Sequence, residues 1–107
     1  MNIEVTTGNA FEALGYSREE ANLRAMRVYL AAEIRKHVQK NRLTQVEAAE
    51  FFGVTQPRIS NVLNMKLDRF TIDFLVRMLS RTDRIPHLTF GPPAKVRRTT
   101  AAHRVAA

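Results

Sequence analysis

Gln56, Pro57, Arg58, Ser60 and Asn61 crowd into a single turn and a half of chain. Their chemistry is recognition rather than bond-breaking. Gln and Asn side chains can each bond an adenine edge bidentately through its N6 and N7. Arg58 can reach a guanine or a phosphate, and phosphate is the preferred reading. Pro57 cannot bond a base, but its ring can pack on a thymine methyl, and Ser60 is a weaker candidate for either contact. A catalytic set of comparable density is missing. Glu47, Glu50, Asp68, Asp73 and Asp83 have no histidine at a ligand spacing, and His37, His87 and His103 are far apart in sequence. Cysteine is absent, and the four glycines are scattered, so no phosphate-cradling loop is written into the chain. Hydrolysis needs a positioned acid–base group or a metal cluster. The expectation is therefore no enzyme, no cofactor and no metal.

Two short helices around a tight turn are needed to hold those residues, and the preceding sequence supplies the signals. Thr44 and Glu47 form a Thr-x-x-Glu capping box. Ala48, Ala49 and Phe52 follow at helical spacing on one face. Gly53 stands where a left-handed or cramped backbone is easiest for glycine. Thr55 can cap a second helix, with Pro57 in its first turn, where a missing amide matters little. Val54 and Ile59 bracket that cap as a hydrophobic staple. Ile59, Val62 and Leu63 supply its apolar face, which leaves Gln56, Pro57, Ser60 and Asn61 for another partner. A small-residue first helix, a glycine turn and a polar-headed second helix are what a DNA-reading helix-turn-helix requires.

On these residues, the segment 43–64 resembles the helix-turn-helix of the XRE (Cro/C1-type) repressors. Ala49 matches the small residue where the helices cross, Gly53 the turn glycine, and Val54, Ile59 and Val62 the buried positions. Lys66, Phe70, Thr71 and Asp73, in the stretch KLDRFTIDFLVRML, extend the likeness to small HigA-like antitoxins and their stand-alone relatives. That subfamily commonly begins with a segment similar to FEALGYSREEA, here residues 11–21. The resemblance covers roughly residues 11–84. It implies an all-α fold: a compact bundle of about four to five helices with a lambda-repressor-like helix-turn-helix. It also implies base-facing roles for Gln56, Pro57 and Asn61, and a backbone-clamping role for Gln45, whose helix N-terminus favours an anion. Thr55 joins the phosphate-facing set. Lys66 and Arg69, in the loop after the second helix, and Thr71, opening the next, can bond phosphates beyond the groove. The plainer reading is a solvated loop for Lys66 and Arg69, and ordinary capping for Thr71. Met65 stands where many relatives have glycine, so Asn64 is expected to take over the helix stop.

The rest of the chain is read as support. Ser17 and Glu20 form a further capping box, preceded by Tyr16. Leu23, Met26, Leu30, Ile34 and Val38 then recur at three- and four-residue steps, giving one amphipathic helix of about 20 residues that ends near Lys40. Asn41 is the expected left-handed stop. Thr71 caps a last helix with Phe70 and Leu75 as its staple, and Ile72, Leu75, Val76 and Leu79 face the core, with Met78 as a further candidate. Phe51, Phe52, Phe70 and Phe74 fit helix-packing positions rather than a base-stacking platform, and His37 reads as a surface histidine. The N-terminal segment 1–16 reads as partly flexible, residues 1–10 being a loose tail. Residues 17–84 are the DNA-binding domain. Residues 85–90 have the character of a short edge strand. In the relatives such a strand helps pair two subunits, but here Pro86 and His87 interrupt it. Residues 91–107 read as a basic flexible tail.

Charge points the same way. The chain of 107 residues carries a net +7, distributed as −3 over residues 1–20, +4 over 21–65 and +6 over 66–107. The positive charge lies on and after the motif, and a polyanion is its natural partner. No apolar run approaches the ~18 residues of a membrane span, and no signal peptide is visible. A cytoplasmic protein without membrane contact is expected. Its function is expected to be that of a sequence-specific repressor, binding double-stranded operator DNA as a homodimer. The resemblance adds the antitoxin of a type II pair that represses its own operon. Alternatives are a module whose main task is to neutralise a RelE/HigB-like toxin, and a stand-alone phage-type regulator.

Overall fold

The computed structural model describes residues 2–5, by their backbone, and residues 10–91. Within them, five helices pack into one bundle and two short strands form a small sheet at its side. The elements are β1 (Asn2–Val5), α1 (Ala10–Ala13), α2 (Arg18–Lys40), α3 (Gln45–Phe52), α4 (Gln56–Leu63), α5 (Ile72–Leu79) and β2 (His87–Phe90). The helical bundle expected from the sequence is the fold observed.

Each helix of the motif region starts on a side-chain oxygen. Ser17 accepts from the Glu20 amide at 3.2 Å, Thr55 from Arg58 at 3.3 Å, and Thr71 from Phe74 at 3.2 Å. At Thr44 the capping box is complete: its hydroxyl accepts from the Glu47 amide at 3.1 Å, and its amide donates to Glu47 Oε1 at 2.8 Å. Such caps satisfy amides that have no partner inside the helix. Helix α2 is the axis of the bundle, with α5 and α4 packed on it and α3 crossing α4. Leu30 and Ile34 from α2, Ile59 and Val62 from α4, and Leu75 and Leu79 from α5 are fully buried at the centre. Ala48 and Ala49 are buried as well, and their small side chains let α3 lie close to its neighbours.

The observed helix stops differ from those expected. Gly53 is left-handed as anticipated, with φ 68° and ψ 35°. Asn41, however, has φ −95°, and the left-handed residue is Arg42 at φ 55°. In the same way Asn64 has φ −97°, while Met65 takes φ 61°. Asn64 does close α4, since its amide and its side chain both bond the Ser60 carbonyl at 3.0 Å. The left-handed turn itself falls on Met65, a residue with a side chain at the conformation that suits glycine. For a residue with a Cβ that conformation costs about 1–2 kcal/mol.

Several packing expectations also need correction. Leu23 remains 42% exposed, and at this end of α2 it is Ala21 that is buried. Phe51 lies at the surface, stacked on His37 at 4.8 Å between ring centroids, whereas Phe52 and Phe70 are in the core. His37 is thus partly covered by two phenyl rings rather than simply solvated. Leu67, inside the loop read as basic, is buried. Glu33, an acid on the apolar side of α2, is buried and neutralised by Lys36 at 3.1 Å and Arg84 at 3.2 Å.

The ends depart furthest. Residues 2–5, expected to be loose, form β1, which pairs in parallel with β2: Asn2 opposite His87, Ile3 opposite Leu88, Glu4 opposite Thr89, Val5 opposite Phe90. The strand anticipated within residues 85–90 therefore exists, and His87 opens it rather than interrupting it. Pro86, which has no amide to donate, sits just outside the ladder. Residues 92–107, which hold nearly all of the expected basic tail, lie outside the described residues.

Candidate nucleic-acid interface

The two capped helices set the geometry of the site. Helix α3 ends on Gly53, and the Val54 amide bonds back to the Ala49 carbonyl at 3.0 Å. Thr55 then opens α4 with Pro57 in its first turn. Ile59 and Val62 anchor the inner face of α4, so Gln56, Pro57, Arg58 and Asn61 project outward and are exposed. Gln45, the first residue of α3, is exposed too. The side chains of Gln45, Gln56, Asn61, Lys66 and Arg69 are engaged in no hydrogen bond or ion pair among the described residues. Amides and cations without internal partners, fixed on a rigid helix–turn–helix, are available to an external ligand. Ser60 differs: it is half-buried, and its hydroxyl lies 3.4 Å from the Asn64 side-chain amide, turned along the helix.

The loop after α4 is braced from behind. The Lys66 amide bonds the Asn61 carbonyl at 2.8 Å, and Leu67 is buried beneath. Arg35 reaches from α2 to the Leu63 carbonyl at 2.9 Å, satisfying the C-terminal end of α4, where a cation is favoured. Arg24 spans the same gap. Its guanidinium pairs with Asp68 at 3.3 Å and lies 4.2 Å from the Tyr16 ring centroid. Glu20 sits 3.0 Å from Arg24 Nε, but off the direction of the N–H, so this contact is an ion pair rather than a hydrogen bond. Asp68, the acid between Lys66 and Arg69, is in this way drawn toward α2. Lys66 and Arg69 remain exposed on the outer side.

Thr71 is the N-cap of α5, and its neighbour Asp73 has already taken up that helix start. A hydrogen bond with the Thr71 side chain, above all, holds the Asp73 carboxyl below its ordinary value. Desolvation opposes this, and the backbone amide of Asp73, the charge of Arg77 and the backbone amide of Phe74 each add a smaller lowering effect. The Thr71 hydroxyl already serves the protein as the cap of the Phe74 amide. Arg58 departs from the picture of a flexible phosphate-seeking chain, since its guanidinium is packed over Phe70 and Phe74.

The structure thus brings Gln56, Pro57 and Asn61 to one exposed helix face. It places Gln45 at the start of α3, Lys66 and Arg69 on the following loop, and Arg58 and Thr71 beside one another's helices. Arg24, Arg35 and the phenyl rings under Arg58 were not recognised in the sequence. Only the four-residue step from Glu20 to Arg24 was legible there. Among the described residues no group of three or more His, Asp or Glu residues is arranged to hold a metal ion. No described helix is long and apolar enough to cross a membrane.

An outward polar helix head on a capped, glycine-turned helix pair defines a helix-turn-helix protein. The sequence matches the helix-turn-helix domain family over residues 10–85, and the chain belongs to that family. It is also similar to a solved structure assigned by its name to the XRE family of transcriptional regulators. The identity is 27% and the TM-score 0.64, over 82% of this chain and 99% of the other. No curated protein matches the sequence.

Proposed function

We propose that this chain is a DNA-binding transcriptional regulator of the XRE type, which reads an operator with α4 and acts as a dimer. The observation that carries this reading is the outward face of α4. Gln56 and Asn61 are exposed there without internal partners, on a helix fixed at its start by Thr55 and beneath by Ile59 and Val62. In a major groove, those amides would read adenine edges and Pro57 a thymine methyl, with Ser60 as a lesser contact. Gln45, Thr55, Arg58, Lys66, Arg69 and Thr71 are the proposed phosphate-side residues. Among these, Lys66 and Arg69 have the freest side chains among the described residues, whereas Thr71 already caps the Phe74 amide. Repression needs no catalysis, because an occupied promoter excludes polymerase.

A dimer places two copies of α4 about 34 Å apart, one turn of the duplex. The observation favouring a protein partner is the small sheet. Among the described residues each strand is paired on one edge only, and Ile85, Leu88 and Phe90 are 69%, 55% and 78% exposed. An open strand edge is a template for pairing with another chain. A second copy of this chain fits that edge. So does a RelE/HigB-like toxin, in which case the chain is an antitoxin repressing its own operon.

The test is a titration of the chain against its own upstream DNA and against a scrambled duplex at near-physiological salt. Selective binding to the upstream duplex is expected. Asn61→Ala should lower affinity for the preferred sequence by roughly 1–3 kcal/mol while leaving the scrambled duplex nearly unaffected. Equal loss on both duplexes would remove Asn61 from base reading. Absence of binding to any duplex would overturn the regulator reading.

A further inference from the structure

Arg58 differs from Gln56 and Asn61 in that its side chain packs against the protein. It occupies the third position of α4 and its backbone amide serves the Thr55 cap. Its guanidinium carbon lies 4.9 Å from the Phe74 ring centroid and 5.5 Å from that of Phe70. The two rings stand 5.7 Å apart and tilted by 51°, so they form an open bracket beneath the guanidinium. Phe70 is buried and belongs to the core; Phe74, on α5, is half-buried and offers its ring to the surface. No carboxylate pairs with Arg58 among the described residues.

A guanidinium packed over an aromatic ring is held by its face, through attraction to the ring quadrupole. Its N–H donors lie in the guanidinium plane and point away around the edge, in the fork that matches an oxyanion bidentately. A carboxylate partner would have consumed those donors; the phenyl rings leave them unspent. The bracket also removes much of the rotamer freedom that a long exposed side chain would otherwise lose on binding. The same bracket ties α4 to the start of α5, the side of the motif on which Arg69 and Thr71 stand.

We propose that Phe74 is a positioning residue for DNA binding. Backed by Phe70, it holds the Arg58 guanidinium at the α5 flank of the recognition helix, where the guanidinium takes a backbone phosphate at the edge of the groove. The inference rests on the DNA-binding reading and assigns a role to a residue that would never touch DNA. It also separates Arg58 from Lys66 and Arg69. These offer charge from a loop without side-chain partners, whereas Arg58 offers it from a fixed place.

Because phosphate contacts are independent of sequence, a duplex of scrambled sequence is a sufficient probe. Affinity is measured across a salt series for the full chain, Arg58→Ala, Phe74→Leu, Phe74→Tyr and the double variant Arg58→Ala/Phe74→Leu, with thermal melting of each protein alongside. Arg58→Ala should weaken binding several-fold and reduce the slope of log affinity against log salt by about one. Phe74→Leu keeps the charge and much of the packing volume but removes the ring. It should weaken binding about two- to five-fold, and Phe74→Tyr should restore it. In the Arg58→Ala background Phe74→Leu should have no further effect, which a merely structural role for Phe74 would not produce. The proposal is overturned if Phe74→Leu binds like the unaltered chain, if it weakens binding by the same factor with and without Arg58, or if Phe74→Tyr fails as Phe74→Leu does. Loss confined to one preferred sequence on Arg58→Ala would mean that Arg58 reads a guanine, and would overturn the phosphate assignment. If the unaltered chain binds no duplex at any salt, the DNA-binding reading falls, and this inference falls with it.

Discussion

The helix-turn-helix and the small sheet are built on opposite principles. In α3 and α4 the caps and the turn are made by contacts short in sequence. Thr44 bonds Glu47, Thr55 bonds Arg58, Val54 bonds Ala49, and the buried Ile59 and Val62 sit one helical turn apart. In the sheet every contact is long: Asn2 meets His87 and Val5 meets Phe90 across most of the chain. The residues of β2 are all exposed, so no core fixes their register. A parallel pair of short strands with one open edge each is weak in isolation. The difference assigns the two regions different tasks. The motif is rigid enough to present side chains at fixed spacing, and the sheet is an edge that a further chain would complete.

Two substitutions sharpen that contrast. Ile59→Ala removes a fully buried side chain from the centre of the bundle and should destabilise the fold by about 2–5 kcal/mol, read from chemical unfolding. A loss of less than about 1 kcal/mol would mean that α4 is not anchored where it is described. Leu88→Pro removes an amide from the middle of β2 and fixes its φ, which should disrupt the β1–β2 pairing. It should change the unfolding free energy of the helices by no more than about 0.5 kcal/mol, since surface changes away from buried contacts have small effects. If the open sheet edge pairs two chains as proposed, the same substitution should raise the concentration at which they associate, measured by sedimentation. A large loss of helix stability would show that the sheet supports the bundle after all.

What was legible in the sequence follows the same division. The caps at Ser17, Thr44, Thr55 and Thr71 and the left-handed Gly53 could be read directly, because each depends on residues within four positions. The buried faces of α3, α4 and α5 were legible for the same reason. Near misses arose where local signals compete. Asn41 and Asn64 both carry the side chain expected of a left-handed stop, but each instead closes its helix by bonding the carbonyl four residues back, passing the turn to Arg42 and Met65. Periodicity placed Leu23 on the apolar stripe of α2, although at that end of the helix it is Ala21 that is buried. Contacts between distant residues were not legible at all. Arg35 on the Leu63 carbonyl, Arg24 on Asp68, Glu33 between Lys36 and Arg84, and Arg58 over Phe74 depend on how the helices cross. Of the candidate site, the exposed face of α4 could therefore be named in advance, while the residues that hold its neighbours in place could not.

The most direct measurement is the set of backbone amide signals that move when isotopically labelled chain is titrated with its own upstream duplex. The expected result is a set of shifts over Gln45, the amides of Thr55 to Asn61 other than Pro57, and Lys66 to Arg69, with the amides of His87 to Phe90 unmoved. Shifts centred on the sheet, with α4 silent, would contradict the assignment of DNA reading to the helix-turn-helix.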